Sequence, residues 1–359
     1  MATFSLAPIE GLASHDAYVV REATEADRAA VIAIVGEMWQ EDVSRRYDWL
    51  YAGNPHGRAR TWLAVEPHAP ELPVAITSVF PRRVLVDGEP RVGSIGGDCY
   101  VRPRARRRGL ATMLHAATLA DMRARGIDFM YGPPRANNLQ ALLKAGSHEV
   151  GSFRRFTRPL AMGKGALRAV AGCALGLLDR ATHPRGTGGW TLERIDAFGP
   201  ELAGCLAAAS RSYRILPVCD AAWLAWRYLD GPNRTQVPYA VKRAGELVGC
   251  AVLEMRGGLG VVVDVGVPAD RESLDATIEL LLGEARAHGC DTLDVSLTEG
   301  APIVPRLRHR GFVGREQHGF QVAVAGEDPQ LATLLDLAAW TFTDGDKDMD
   351  TVFSPELDR

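Results

Sequence analysis

The spacing of apolar positions changes character between residues 99 and 126. Tyr100 and Val101 end an extended segment, Pro103 interrupts it, and Arg104, Arg106, Arg107, Arg108 and Gly109 follow. From Leu110 the apolar residues Met113, Leu114, Ala117, Leu119, Ala120 and Met122 recur close to a 3.6-residue period until Gly126. This pattern predicts a strand, a basic loop and a helix closed by glycine. Upstream, residues 18–21 read as a short strand. Thr24 reads as an N-cap, with Asp27 at the third helical position before a helix carrying Val31, Ile34, Val35 and Met38 on one face. An aromatic-rich helical or irregular piece over 45–57 ends on the turn residues Asn54, Pro55 and Gly57. Strands are expected at 61–66 and 74–80, and residues 82–101 read as a hairpin about Asp87-Gly88. After the central helix come a buried strand at 128–132, a short helix, Lys144-Ala145-Gly146 and a last strand.

The second half repeats this order. Residues 223–233, with Trp223, Trp226 and Tyr228 before Gly231 and Pro232, echo residues 48–55. A strand–turn–strand about Ala244-Gly245, a buried strand at 259–268, a helix at 272–289, a strand at 292–297 and a short helix before Gly311-Phe312 complete the parallel. Between the halves, residues 162–190 combine an apolar helical stretch with a Gly/Pro/Thr-rich linker. The end of the chain reads as a short amphipathic helix and an acidic tail. Its alternating Asp344, Asp346, Asp348 and Asp350 lack the later glutamate of a calcium loop, so a solvated terminus is expected.

Composition narrows the class. The 359 residues are 47% hydrophobic, enough for more than one core, and the formal net charge of −3 offers no bulk attraction to nucleic acid or anionic membrane. Six cysteines without C-x-x-C spacing read as the thiols of a cytoplasmic protein rather than a disulfide framework or a metal site. The start lacks the charged and apolar regions of a signal peptide. The longest apolar run, around 166–178, is too short to span a bilayer.

The basic loop carries the chemistry. A helix N-terminus presents unpaired N–H groups and partial positive charge. Gly109 lets a ligand approach the backbone, Ala111 keeps the first turn uncluttered, and the arginines add full charges. Together they make a seat for a phosphate or pyrophosphate. Neither a Gly-Lys-Ser/Thr loop nor a three-glycine dinucleotide fingerprint is present. The bland alternative is an arginine-rich loop that only caps a helix.

With Val101, Pro103, Arg106, Gly109 and Ala111 in this strand–loop–helix context, the chain resembles the GNAT superfamily of acyl-CoA N-acyltransferases. The resemblance implies a mixed α/β fold in which a mostly antiparallel, twisted sheet is flanked by helices. Applied to both halves, it implies two tandem GNAT-like domains: an acyltransferase domain at 1–162, a helical and Gly-rich linker at 163–190, a degenerate domain at 191–327, and a C-terminal helix and acidic tail at 328–359. In the second half Ala269, Asp270, Arg271 and Glu272 replace the basic loop. Carboxylates there suit a helix N-terminus but repel a pyrophosphate, so that half is expected to act as scaffold or substrate wall.

The resemblance implies that acyl-CoA, acetyl-CoA in the leading reading, is co-substrate, held by Cys99, Tyr100, Val101, Arg106, Arg107, Arg108, Gly109, Leu110, Ala111 and Thr112, with no metal. Asn137 is a further cofactor contact or else a helix cap. Pantetheine is expected to add to the strand edge at 99–101, where free N–H groups can polarise the thioester. Asp98 is the nearest carboxylate to act as base, although alternation puts it opposite Val101 unless a bulge intervenes. Tyr100 and Tyr131 are the candidate proton donors. The family's usual tyrosine in the short helix is replaced by Leu142 and Leu143, and the aromatic after its glycine by Ser147. The expected partner is the primary amine of a small molecule or protein, attacked directly, with neither nucleic acid nor membrane. A transferase using an aminoacyl or long-acyl carrier and a non-catalytic acyl-CoA sensor are the competing readings. Trp223, Trp226, Arg227 and Tyr228 line an acceptor pocket or anchor the core.

Overall fold

The computed structural model describes residues 17–161, 188–232, 235–326 and 329–348. Residues 1–16 and the apolar stretch expected to be helical around 166–178 lie outside the described residues.

The first half runs β1 (Val19–Glu22), α1 (Arg28–Trp39), β2 (Arg60–Val65), β3 (Ala75–Val86), β4 (Glu89–Val101), α2 (Leu110–Met122), β5 (Phe129–Gly132), α3 (Ala136–Ala145) and β6 (His148–Pro159). Local chemistry sets the joins. The Thr24 N–H donates to the Asp27 carboxylate at 2.8 Å, closing the entry to α1. Arg21 grips the same carboxylate with both terminal nitrogens and holds it down to about 2. Asp87 and Gly88 both take left-handed φ, +48° and +87°, the geometry of a two-residue hairpin turn. Between α1 and β2 a helical turn at Ser44–Arg46 widens into a π-helical turn at Tyr47–Ala52. That widening turns Trp49, Leu50 and Tyr51 into the core together.

The second half runs β7 (Trp190–Arg194), α4 (Pro200–Ser210), β8 (Ile215–Pro217), α5 (Ala221–Tyr228), β9 (Gln236–Arg243), β10 (Glu246–Arg256), β11 (Leu259–Gly266), α6 (Arg271–Ala287), β12 (Thr292–Thr298), α7 (Val304–His309) and β13 (Val313–Val324). All the strands join one mixed, mostly antiparallel sheet. Its order is β1-β2-β3-β4-β5-β13-β6-β12-β11-β10-β9-β7, with β8 added to β3. Each half gives its last strand to the other: β13 pairs with β5, and β6 pairs with β12. The centre of the sheet therefore forms only when both halves are folded.

Two parallel pairs open like a V. Pairing of β4 with β5 covers Gly93 to Ile95 and then stops, although β4 runs on to Val101. Pairing of β11 with β12 covers Leu259 to Val262 and then stops. One core lies under α2 and α3 and includes Trp62, Leu110, Leu114 and Met130. Another is shared by both halves: Ile34, Trp49, Leu63 and Phe80 pack with Leu206, Trp223, Trp226 and Val252.

At the heart of the shared core Trp49 stacks on Trp226 at 4.5 Å. Each indole donates to the other's backbone carbonyl, Trp49 Nε1 to Trp226 O at 2.9 Å and Trp226 Nε1 to Trp49 O at 3.1 Å. Two residues on, Tyr51 Oη donates to Asp98 on β4 at 2.6 Å, and Tyr228 Oη donates to Asp264 on β11 at 2.8 Å. The two halves thus meet through matching Trp-x-Tyr segments. Trp226→Phe keeps a ring but leaves the buried Trp49 carbonyl without its donor. It is expected to cost about 1–3 kcal/mol in a denaturant melt.

The C-terminal segment departs from expectation. In place of an amphipathic helix, residues 329–348 form short 3₁₀ turns at Pro329–Leu335, Leu337–Ala339 and Asp344–Asp346. Trp340 and Phe342 are fully buried beneath β5, β6 and β13. Thr343 bridges to Leu297 of β12, and its hydroxyl donates to Asp264 at 3.2 Å. This strap therefore fills the V of the second half. As far as residue 348, the acidic end is not a solvated terminus. Asp346 is 3% exposed, because Arg82 of β3 supplies a buried counter-charge that the sequence pattern could not place.

Candidate active site

The first V is built by one irregularity in β4. The β3–β4 register shifts between Ile76 and Ser78, and Asp98 takes φ +46°. This bulge resolves the parity conflict: Asp98 turns to the α1 side of the sheet, while Cys99 turns toward α2. Beyond the bulge Cys99, Tyr100 and Val101 remain half-exposed, and Gly96 just before it is exposed. The β5-facing edge of β4 is therefore an unpaired row of backbone groups at the mouth of the basic loop.

That loop is shaped for an anion. A 3₁₀ turn at Pro103–Ala105 buries Ala105 and leads into Arg106, Arg107 and Arg108, which are exposed. Arg107 and Gly109 both take left-handed φ, +61° and +77°. Such alternation turns successive backbone N–H groups to one side as a nest. Gly109 precedes the first turn of α2 and has no side chain to occupy it. In the second half, by contrast, Asp270 caps α6, accepting from the Ser273 N–H at 2.9 Å and the Ser273 hydroxyl at 2.7 Å. The charge reversal at 269–272 thus has a structural consequence: that helix end is satisfied by its own side chain. Arg106 Nε donates to the Val101 carbonyl at 3.1 Å, tying the loop to the strand, and Arg108 donates to Tyr18 Oη at 2.8 Å. Leu110 and Thr112 are buried, and Ala111 is half-buried at the helix start.

On the α2 side, His115 Nε2 lies 2.9 Å from Asn138 Oδ1 and 3.5 Å from Cys99 Sγ. Burial lowers the His115 pKa, keeping the imidazole neutral, and pushes the Cys99 thiol up to about 12, which argues against a nucleophilic thiolate. Asn137 is exposed, and its neighbour Asn138 is the amide that faces β4. The two amides point apart because α3 turns each successive side chain by about 100°. A polar stripe at Thr112, His115 and Thr118 on an otherwise apolar helix face was the available signal for His115.

On the α1 side, Asp98 is fully engaged. It accepts from Trp39 Nε1 at 3.1 Å, from Arg46 Nη2 at 3.1 Å and from Tyr51 Oη at 2.6 Å. With neither side chain more than 4% exposed, Asp98 is the counter-ion of a buried pair rather than a carboxylate open to an amine. Tyr131 is likewise displaced from its expected role. It is fully buried against Trp340 and Phe342, and burial drives its pKa well above the usual phenol value. Tyr100 keeps partial exposure, with its ring against the shared core. Trp223, Trp226, Arg227 and Tyr228 are all core residues: Arg227 donates to the Gly345 carbonyl at 3.0 Å, and the indoles pack on one another.

A second buried pair lies beside the first. Arg82 meets Asp346 at 3.1 Å and lies 3.4 Å over the Trp223 ring. Next to it His56 stacks on Trp223 and is held well below its usual pKa by burial and by Arg82 and Arg83. Farther along the strap, Asp348 approaches Arg46 at 4.0 Å and lies over Gly97. Among the described residues no cluster of side chains suits a metal ion, and no helix is long and apolar enough to cross a membrane.

A family profile described as an acetyltransferase (GNAT) domain matches residues 19–139. A search of curated proteins gives no significant match. Among solved structures, a probable N-acyltransferase from Enterococcus faecalis V583 superposes with a TM-score of 0.64 at 12% identity, covering 86% of this chain and 73% of its own. A GCN5-related N-acetyltransferase from Anabaena variabilis gives the same values. The Saccharomyces cerevisiae N-myristoyltransferase, solved with bound myristoyl-CoA, superposes with a TM-score of 0.54 at 11% identity, covering 96% of this chain and 87% of its own. The profile spans β1 to the start of α3, including the bulge, the basic loop and α2, while the superpositions carry the same fold across both halves. Residues 19–139 thus match an acetyltransferase (GNAT) domain, and the chain as a whole shares the fold of the GNAT-type transferases on which it superposes.

Proposed function

We propose that the protein transfers an acetyl group from acetyl-CoA to a primary amine by direct attack, and that the first half holds the donor. One observation carries the reading: the nest at Arg107 and Gly109 follows directly on the unpaired end of β4, to which Arg106 ties the loop through the Val101 carbonyl. Main-chain amides at the start of α2 and the guanidinium groups of Arg106 to Arg108 suit a diphosphate. The edge from Gly96 to Val101 suits the amide-bearing pantetheine arm as an added strand. N–H groups freed by the bulge at Asp98 suit the thioester oxygen. His115 and Asn138 hold the Cys99 side of the strand in place. Tyr100, half-buried two residues past the bulge, is the phenol left near the edge to return a proton to the leaving thiolate.

The repeated element order, the matched Trp-x-Tyr segments and the two V-shaped openings support a duplicated GNAT unit, with the donor half at 1–162 and the degenerate half at 191–327. The exchanged last strands make the two halves one folding unit. Asp270 and the strap leave the second half as scaffold and acceptor wall.

Thermal shift tests the reading without knowledge of the acceptor. Acetyl-CoA at about 100 times its dissociation constant is expected to stabilise the chain by about 2.7 kcal/mol. Desulfo-CoA should do nearly as well, because the diphosphate seat carries the binding. Preference for myristoyl-CoA would move the donor to long acyl chains, and stabilisation by RNA alone would remove the enzyme reading. An amine library read by thiol release from acetyl-CoA then identifies the acceptor.

A further inference from the structure

We propose that the Asp348 carboxylate, on the strap, accepts the proton of the attacking amine; this rests on the acyl-CoA reading above. Three buried or half-buried carboxylates, Asp98, Asp346 and Asp348, pair with the arginines Arg46 and Arg82 of the first half. Asp98 is consumed by Arg46, Tyr51 and Trp39. Asp346 pairs with Arg82 and accepts from the Thr343 N–H at 3.0 Å, with a side chain only 5% exposed. Asp348 differs in three ways. Its side chain keeps 18% exposure, its ion pair to Arg46 is long at 4.0 Å, and it is seated by its backbone, whose carbonyl accepts from Arg46 Nη1 at 3.1 Å.

Its position is specific. A Cβ on Gly97 would collide with the Asp348 carboxylate, so the absence of a side chain at Gly97 is what lets the strap reach the strand. Gly97 immediately precedes the bulge, on the stretch of β4 that β5 leaves unpaired. Arg46 spans Asp98 and Asp348, and so ties the strap to the strand at the point where the acyl carbon is expected. Burial and the neighbouring Asp98 push Asp348 up to about 6, the range in which a carboxylate serves as a base near neutral pH.

The step balances within these groups. The lone pair of the neutral amine forms the C–N bond, the C–S bond breaks, and its electron pair leaves with the CoA sulfur as thiolate. One proton passes from nitrogen to the Asp348 carboxylate and then to solvent, while the Tyr100 phenol protonates the thiolate and is reprotonated from solvent. Amide and free thiol are the products, and Asp348 is regenerated.

A label on the donor reads the site even before an acceptor is known. In the full chain, the carbonyl resonance of bound [1-¹³C]acetyl-CoA is expected to move with pH, with its midpoint near about 6. Asp348→Asn should abolish that inflection while holding acetyl-CoA as tightly as the native chain. Gly97→Ala, which pushes the carboxylate off the strand, should abolish it too. With an amine from the library, Asp348→Asn should lower kcat by about 100-fold at unchanged KM for acetyl-CoA, and Asp348→Glu should restore part of it. A resonance that is flat in the native chain, or that titrates equally in Asp348→Asn, overturns the assignment and leaves the acyl-CoA reading standing. Failure of the label to bind overturns that reading and this one with it.

Discussion

Gly109→Glu is expected to remove acyl-CoA binding while the protein stays folded. The substitution puts a carboxylate at the start of α2, where the nest and the helix dipole favour an anion. Intramolecular satisfaction of those N–H groups then competes with the diphosphate, and like charges repel. A loss of at least about 100-fold in affinity, or about 2.7 kcal/mol, is expected by titration calorimetry. Stability should change less. Gly109 sits at φ +77°, so any side chain there costs about 1–2 kcal/mol of backbone strain, and the melting temperature should fall by only a few degrees. The second half already contains the analogous device, since Asp270 satisfies the start of α6. Affinity retained in the variant would mean that the donor diphosphate is seated elsewhere.

The other large effect concerns Arg82. Its guanidinium is fully buried and is the counter-charge of Asp346. Arg82→Met leaves that carboxylate buried with Asp264 as a neighbour and is expected to cost about 3–5 kcal/mol at neutral pH. The pH dependence has a definite sign. Burial first, and Asp264 second, raise Asp346 to about 6 even with Arg82 present, above an unfolded value of about 3.9. The native state therefore binds the extra proton between those values, and stability falls as pH rises through the window. Without Arg82 the native value climbs further, so the deficit should be largest above pH of about 6 and shrink toward about 4. Arg82→Met with Asp346→Leu should recover much of the loss, because both charges are gone. Denaturant melts of the three proteins at the two pH values decide the matter. A pH-independent deficit would trace the loss to the Arg82–Trp223 stack instead.

Several local features were legible because they depend on near neighbours. The Thr24–Asp27 cap, the Asp87-Gly88 turn, the break at Pro103 and the helix after Gly109 each follow from residues a few positions apart. Reversed charge at 269–272 was also readable, and the structure supplies its meaning as a self-capped helix. Even the parity conflict at Asp98 was stated correctly in the pattern, with the bulge as its resolution. Asn137 lies exposed, whereas its neighbour Asn138, which the sequence reading did not single out, takes the inward helix face. Trp49-Leu50-Tyr51 and Trp226-Arg227-Tyr228 share a spacing that pointed toward their equivalent roles, but not toward their contact.

By itself, then, the sequence determined the order of strands and helices from β1 to β6, the basic loop and glycine at the start of α2 that are proposed as an anion seat, and the acidic replacement of that loop in the second half. These rest on backbone propensity, charge and spacing within a single turn or hairpin. Tertiary structure alone decided that β6 and β13 change places, that Asp98 is spent on Arg46, and that Tyr131 is sealed beneath Trp340. It also turned an apparently solvated acidic tail into a buried strap whose carboxylates meet Arg82 and Arg46. Those outcomes depend on partners up to 302 residues away in the chain. A buried charge is tolerated only where its counter-charge arrives, and no local pattern records where that will be.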